Sequence, residues 1–208
     1  MRYRLAIFDF DGTLADSFPW FIGVFNQVAD RYRFRRIEAG EVEGLRGLGA
    51  RQMVRHLGVP AWKLPLIANH MRALMTRDAG TIRPFPGAED ALVRLAARGL
   101  PLALLTSNSE ENVRRVLGPE TAALFARREC GASIFGKRAR LRRLLRRSGV
   151  PAREVICVGD EIRDHEAAAA EGVAFGAVTW GYTVPAALRA RDPEETFESF
   201  EDMVAKLS

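Results

Sequence analysis

The chain has 208 residues, 48% of them hydrophobic and 27% charged, the balance of an ordinary globular protein. That length fits one domain, or a core domain carrying a smaller inserted one, and it buries a core without staples. The net charge of +5, from 31 Lys and Arg against 26 Asp and Glu, suits a solvated, arginine-rich surface, and the two cysteines form neither a disulfide framework nor a zinc spacing. The apolar start of the chain runs straight into acids, unlike a signal peptide. No apolar run approaches the roughly 20 residues that span a bilayer. A cytoplasmic protein without membrane or nucleic-acid partners is expected.

In chain order, Arg4 to Phe8 is a short apolar run ending in acids and glycine, a buried strand followed by a loop. From Ser17 to Phe34 the apolar residues recur at helical spacing, with Ser17 placed as N-cap and Pro19 in the first turn. Further helices are predicted over 50–57 and 61–77, punctuated by Gly44, Gly47, Gly49, Gly58 and Pro60. No strand is expected between Asp16 and Ile82. After Pro84-Phe85-Pro86-Gly87 an alternation begins: helix 88–98, strand 100–105, helix 110–117, a short strand near 125–130, helix 138–147, strand 155–158, helix 162–171, strand 174–178 and a closing helix 199–207. Such alternation implies a parallel sheet covered on both faces. The predicted fold class is therefore α/β, with a Rossmann-like core over 1–16 and 84–208. An all-helical insertion over 17–83 interrupts it after the first strand, with hinges near 16–18 and 80–86.

Four polar motifs fall after strands or in loops of this core, where open α/β sheets bind ligands. The first is Asp9-Phe10-Asp11-Gly12-Thr13: one carboxylate can attack phosphorus and the other can move a proton, while Gly12 lets the backbone approach a phosphate. Read blandly, it is a solvated acidic turn. The second is Thr106-Ser107-Asn108-Ser109, either a phosphate cradle at a strand-to-helix junction or simply an N-cap at Ser109. The third is Lys137, preceded by Ile134-Phe135-Gly136; lysine occurs only at 63, 137 and 206. It can offset charge on a nucleophile and a transferring phosphoryl group, or be one more cation on an arginine-rich helix. The fourth is Gly159-Asp160-Glu161-Ile162-Arg163-Asp164, where Asp160 can ligate Mg²⁺ and Asp164, one turn on, can orient it or a bound water. Helix-dipole acids are the alternative there.

In this order and strand context, DFDGTLADS, LLTSNS, Lys137 and GDEIRD resemble the signatures of the haloacid dehalogenase superfamily, and the chain is similar to its phosphoglycolate phosphatase-like branch with a helical cap. The resemblance implies Asp9 as nucleophile, Asp11 as acid/base, Ser107 as the phosphate-binding hydroxyl and Lys137 as the charge-offsetting amine. It implies Mg²⁺ held by Asp9, the backbone carbonyl of Asp11 and Asp160, with Asp164 nearby, and a substrate phosphate near Gly12, Thr13 and Asn108. Hydrolysis of a small phosphorylated metabolite, of the phosphoglycolate or sugar-phosphate kind, would follow through a phosphoaspartate, by a monomer or homodimer. A sugar phosphomutase shares these signatures, and a non-catalytic polyanion-binding relative is the third reading. The second aspartate argues against dehalogenation. Lys63, the only lysine in the insertion, sits at the start of a helix and argues against Schiff-base chemistry. Arg46, in Gly44-Leu45-Arg46-Gly47, either clamps the anionic tail of a substrate or lies on a surface turn. Trp180-Gly181-Tyr182 resembles a family loop near the site and reads equally as a structural turn. His56, His70 and His165 read as surface or packing residues.

Overall fold

A computed structural model of the chain describes residues 2–133 and 135–208; Ile134, in the approach to Lys137, lies outside the described residues. The apolar runs become six parallel strands: β1 Leu5–Phe8, β2 Leu102–Leu105, β3 Phe125–Glu129, β4 Val155–Gly159, β5 Ala174–Val178 and β6 Glu195–Phe197, in the sheet order β3-β2-β1-β4-β5-β6. Strands β1, β2 and β4 are buried throughout. That is what a sheet with both faces covered requires, and it explains why they read as continuous apolar runs. Successive side chains alternate between two cores. Ala6, Phe8, Leu102, Leu104, Ile156 and Val158 point to one, and Leu5, Ile7, Ala103, Leu105, Val155 and Cys157 to the other.

Ten α-helices are present among the described residues. Those of the insertion are α1 Phe18–Tyr32, α2 Val42–Leu45, α3 Ala50–His56 and α4 Leu64–Asp78. Those of the core are α5 Ala88–Ala97, α6 Glu110–Ala123, α7 Lys137–Ser148, α8 Ile162–Ala169, α9 Pro185–Arg189 and α10 Phe200–Leu207. The first core packs under α5, α6 and α10, and the second under α7 and α8. The two crossings between core and insertion run side by side: the Asp16 N–H donates to the Arg83 carbonyl and the Phe85 N–H to the Leu14 carbonyl, each at 2.9 Å.

The structure departs from the sequence reading in particular places. Helix α6 continues past Leu117 to Ala123, across a break at Gly118 (φ +77°) and Pro119. Strand β6 and the short helices α2 and α9 were not anticipated. Ser17 stands before α1, but its side chain makes no capping bond; its hydroxyl is used in the site. On α7, Leu141 and Leu144 are buried as expected, with Leu145 packed beside them. The helix arginines are partly neutralised. Glu129 draws Arg140, Arg143 and Arg147, and Glu171 draws Arg138 and Arg142.

Candidate active site

The sheet order reverses direction between β1 and β4, and the crevice at that switch point is where such sheets bind ligands. Phe8 pairs with Val158 and with Leu104, and the Asp9 N–H donates to the Val158 carbonyl at 2.9 Å. The first residues beyond β1, β2 and β4 are therefore neighbours although they come from distant parts of the sequence. Asp9, Asp160 and Asp164 each offer a carboxylate oxygen within 4.8 Å of the others, and all three are buried.

The acids are held individually. Lys137, at the start of α7 and itself buried, places Nζ 2.8 Å from Asp9 Oδ2 and pairs also with Asp164. Asp164 Oδ2 accepts the Glu161 N–H at 3.1 Å, closing the first turn of α8. Asp160 is fully buried; its Oδ1 accepts the Thr13 hydroxyl at 2.7 Å and its Oδ2 the Tyr182 N–H at 2.8 Å. Asp11 points elsewhere. Its Oδ1 accepts from Ser17 Oγ at 2.9 Å and its Oδ2 from Asn108 Nδ2 at 3.0 Å. Ser17 Oγ in turn lies 2.9 Å from the Tyr182 hydroxyl.

Burial raises the Asp9 pKa from 3.8 to about 7, opposed by Lys137 and reinforced by Asp164. Burial also raises Asp160 well above its ordinary value, with Glu161 and Asp9 adding repulsion. Asp11 is raised by burial, and its bonds to Asn108 and Ser17 pull the other way. Lys137 is raised: burial lowers it, but Asp164 and Asp9 outweigh that effect. Three buried carboxylates, two of them paired with the Lys137 ammonium, form a donor set of hard oxygens with excess negative charge, which fits a divalent oxygen-loving cation.

Several residues assigned from sequence take different partners. Thr13 was expected near a substrate phosphate; it is fully buried and its hydroxyl is spent on Asp160. Asn108 was expected to touch substrate. Its amide bonds Asp11, and its carbonyl oxygen accepts from Ser109 N and Asn112 Nδ2. Asp164 was expected at the metal site, orienting Asp160 or a bound water; it lies in the acid cluster with Asp9 and Asp160 and contacts Lys137 and Glu161 N. The Asp11 carboxylate is not among the three clustered carboxylates. Arg46 was expected either to clamp a substrate anion or to lie on a surface turn. Its Nε donates to the Tyr182 carbonyl at 2.8 Å and its Nη2 to the Gly181 carbonyl at 2.9 Å, and its Nη1 pairs with Glu43. Ser107 is half-buried at the mouth of β2, its carbonyl accepting from Arg72 Nη1 at 3.1 Å. Ser109 does cap α6, accepting from the Asn112 N–H at 3.1 Å.

Gly12 has φ +76°, and a Cβ there would overlap Asp160 and the Tyr182 ring, so only glycine lets this turn close on the acid. The Trp180-Gly181-Tyr182 loop contributes more than its sequence suggested. Trp180 Nε1 donates to the Thr13 carbonyl at 3.1 Å, and a Cβ on Gly181 would overlap Asp160. Ser17 was missed as a site residue, and Tyr182 was placed near the site without a role. For Ser17 the one signal in the sequence is its placement six residues after Asp11.

The sequence pattern of the haloacid dehalogenase-like hydrolases matches residues 6–178, which include every acid of this site. The chain belongs to that family. Within the haloacid dehalogenase-like hydrolases it sits on the phosphoglycolate phosphatase-like branch. It is 34% identical over 202 residues to a phosphoglycolate phosphatase of Synechococcus elongatus, covering 97% of this chain and 95% of the relative. It is 31% identical over 195 residues to one of Agrobacterium fabrum, covering 86% and 82%. In three dimensions it resembles a crystal structure from Lactobacillus plantarum described as a phosphoglycolate phosphatase homologue, with TM-score 0.84, 22% identity and complete coverage of both chains. That last likeness speaks to the fold alone.

Proposed function

We propose that the chain is a Mg²⁺-dependent phosphatase that hydrolyses a small phosphorylated metabolite through a phosphoaspartate on Asp9, with residues 17–83 acting as a cap over the site. The observation that carries this reading is the convergence of Asp9, Asp160 and Asp164 at the switch point, with Lys137 on Asp9 and a separately held Asp11 beside them. Asp9, Asp160 and the Asp11 carbonyl would hold the ion, with Asp164 and Lys137 balancing charge. When bound, the ion neutralises the phosphate and keeps the Asp9 carboxylate ionised.

Asp9 then supplies the nucleophilic oxygen: an Asp9–phosphorus bond forms as the bond to the ester oxygen breaks. Asp11, whose raised pKa keeps a proton within reach, gives that proton to the departing alkoxide. In the second half Asp11 takes a proton from water, whose oxygen attacks phosphorus. The Asp9–phosphorus bond breaks and inorganic phosphate leaves. Lys137 offsets charge on Asp9 and the transferring group, and Ser107 with the backbone around Gly12 receives phosphate oxygens. Ser17 and Asn108 keep Asp11 aimed away from the acid cluster and therefore free to move protons.

Phosphoglycolate is the substrate the relatives' names suggest first, and sugar phosphates are the class the sequence resemblance adds. The test is Mg²⁺-dependent hydrolysis of an aryl phosphate by the wild type and by Asp9→Asn, with circular dichroism to show that the fold is kept. The variant is expected to lose turnover completely; full residual activity would remove Asp9 from the nucleophile role.

A further inference from the structure

The reaction centre opens onto a cavity of about 320 Å³ lined by Asp11, Ser107 and Asn108 on the core side and by helices of the insertion on the other. Three arginines reach it, and they differ in what answers their charge. Arg46 pairs with Glu43, donates to the Gly181 and Tyr182 carbonyls, and lies over the Phe18 ring at 4.9 Å. Arg163 pairs with Glu161. Arg72, on α4, has only neutral partners: Nη1 donates to the Ser107 carbonyl at 3.1 Å and Nη2 to the Asn69 side-chain oxygen. Among the described residues it forms no ion pair. A guanidinium offers several N–H donors in a fixed fork, so these two bonds leave Arg72 with others to give and with its full charge.

The backbone beneath Arg72 is also held. Its carbonyl accepts from Asn112 Nδ2 at 3.1 Å, and Thr76, one turn on, donates to Asn112 Oδ1 at 2.6 Å. Asn112 lies in the first turn of α6 and bonds Asn108 Oδ1 at 2.7 Å, so α4 is pinned to the loop that carries Ser107 and Asn108. The guanidinium therefore stands directly beside the loop assigned to phosphate oxygens. Much of the remaining lining is apolar. The Phe18 and Phe21 rings pack on Tyr182 at 5.0 and 5.6 Å, and Phe25, Val54 and Ile67 are among the other walls. Such walls leave an anion near Arg72 poorly screened by water and so strengthen its attraction to the cation.

Building on the phosphatase reading, we propose that Arg72 is a specificity-determining residue whose guanidinium receives a carboxylate on the alcohol side of the ester, making the substrate the phosphate monoester of a short hydroxy acid. The acid is short because the cation that reads it adjoins Ser107, the residue assigned to the phosphate. The test compares kcat/KM with Mg²⁺ for phosphoglycolate and for its amide, which has the same shape with the carboxylate neutralised. The wild type is expected to prefer phosphoglycolate about tenfold or more, the worth of a charge-assisted bond. Arg72→Gln keeps a donor for the Ser107 carbonyl but removes the charge, and it is expected to erase most of that preference. An arginine that only latches α4 to the core, or that binds the phosphate itself, would lower both substrates alike. An unchanged ratio in Arg72→Gln therefore overturns the proposal, as does a wild-type ratio near one. Asn69→Asp leaves Arg72 in place and sets a carboxylate where the Asn69 side-chain oxygen now accepts its Nη2. It is expected to lower the ratio about threefold or more, and no change also overturns the proposal. Calorimetry on Asp9→Asn with Mg²⁺ separates this claim from the phosphatase reading. Tighter binding of phosphoglycolate than of its amide, lost when Arg72→Gln is added, with no turnover by the wild type, supports Arg72 and removes the phosphatase. Equal binding of the two overturns the role of Arg72 whatever the turnover.

Discussion

On the proposed function, the crowded acids at the end of β1 and β4 are expected to destabilise the fold when no cation is bound, and Asp9 allows this to be measured. Its carboxyl is raised from 3.8 to about 7 in the fold, chiefly by burial. An acid with a raised folded pKa binds more protons in the folded than in the unfolded state between those two values, so stability falls as pH rises through that window. At 1.36 kcal/mol per pKa unit, the full difference is of the order of 4 kcal/mol, absent below about pH 3.8 and complete above about pH 7. Asp9→Asn replaces the carboxyl with a neutral group of nearly the same shape. In chelator-treated protein the variant is expected to unfold at higher denaturant concentration than the wild type at pH 8, by an amount approaching that figure. The gain should shrink steadily toward pH 4. Mg²⁺ should then stabilise the wild type at pH 8 and narrow the gap. Urea midpoints with and without Mg²⁺ across the pH series supply the measurement. If Asp9→Asn gains nothing at pH 8 in chelator, Asp9 is not a carboxylate forced to ionise in a dry, crowded site, and the argument for a cation there loses its base.

Two further substitutions test how the site is held. Asn108→Ala removes the amide that donates to Asp11 and should lower kcat roughly a hundredfold, with KM changed far less, because it misplaces a proton-transfer group and leaves the cation site alone. A larger change in KM than in kcat would mean that Asn108 binds substrate directly. Arg46→Ala removes two bonds from the insertion to the Gly181 and Tyr182 carbonyls, so it should raise KM by a similar factor for every phosphate monoester tested. A rise confined to substrates with an anionic tail would restore Arg46 to the role of a substrate clamp.

Much of the architecture was readable because buried parallel strands leave uninterrupted apolar runs. Leu102–Leu105 and Val155–Gly159 are examples, and the chemistry follows them directly. Strand β6, Glu195-Thr196-Phe197, carries no such run. It is only three residues long and half-buried, and it is a strand because the edge of β5 offers it a ladder. Helix α6 was cut short at Leu117 because Gly118-Pro119 reads as a stop, whereas the chain breaks there and resumes helical structure. Local sequence records propensity and periodicity; it does not record which neighbour supplies the remaining hydrogen bonds.

The same reason separates the legible site residues from the others. Acids behind an apolar run stand out because burying them without a purpose is costly. Serine before a helix does not, since an N-cap explains it fully. Yet Ser17 forgoes the cap to hold Asp11, and Tyr182 reaches three parts of the site at once. Its N–H fixes Asp160, its hydroxyl meets Ser17, and its carbonyl accepts Arg46 from the insertion. The loop after β5 thus joins Asp160, the Ser17 that holds Asp11, and the helical insertion through one residue. Displacing the insertion from the core would strip Arg46 from the Gly181 and Tyr182 carbonyls and separate the Phe18 and Phe21 rings from Tyr182. Both acids therefore depend for their placement on a loop that the insertion helps to pin. On the proposed function, this coupling would make the insertion part of the reaction centre and not merely its cover.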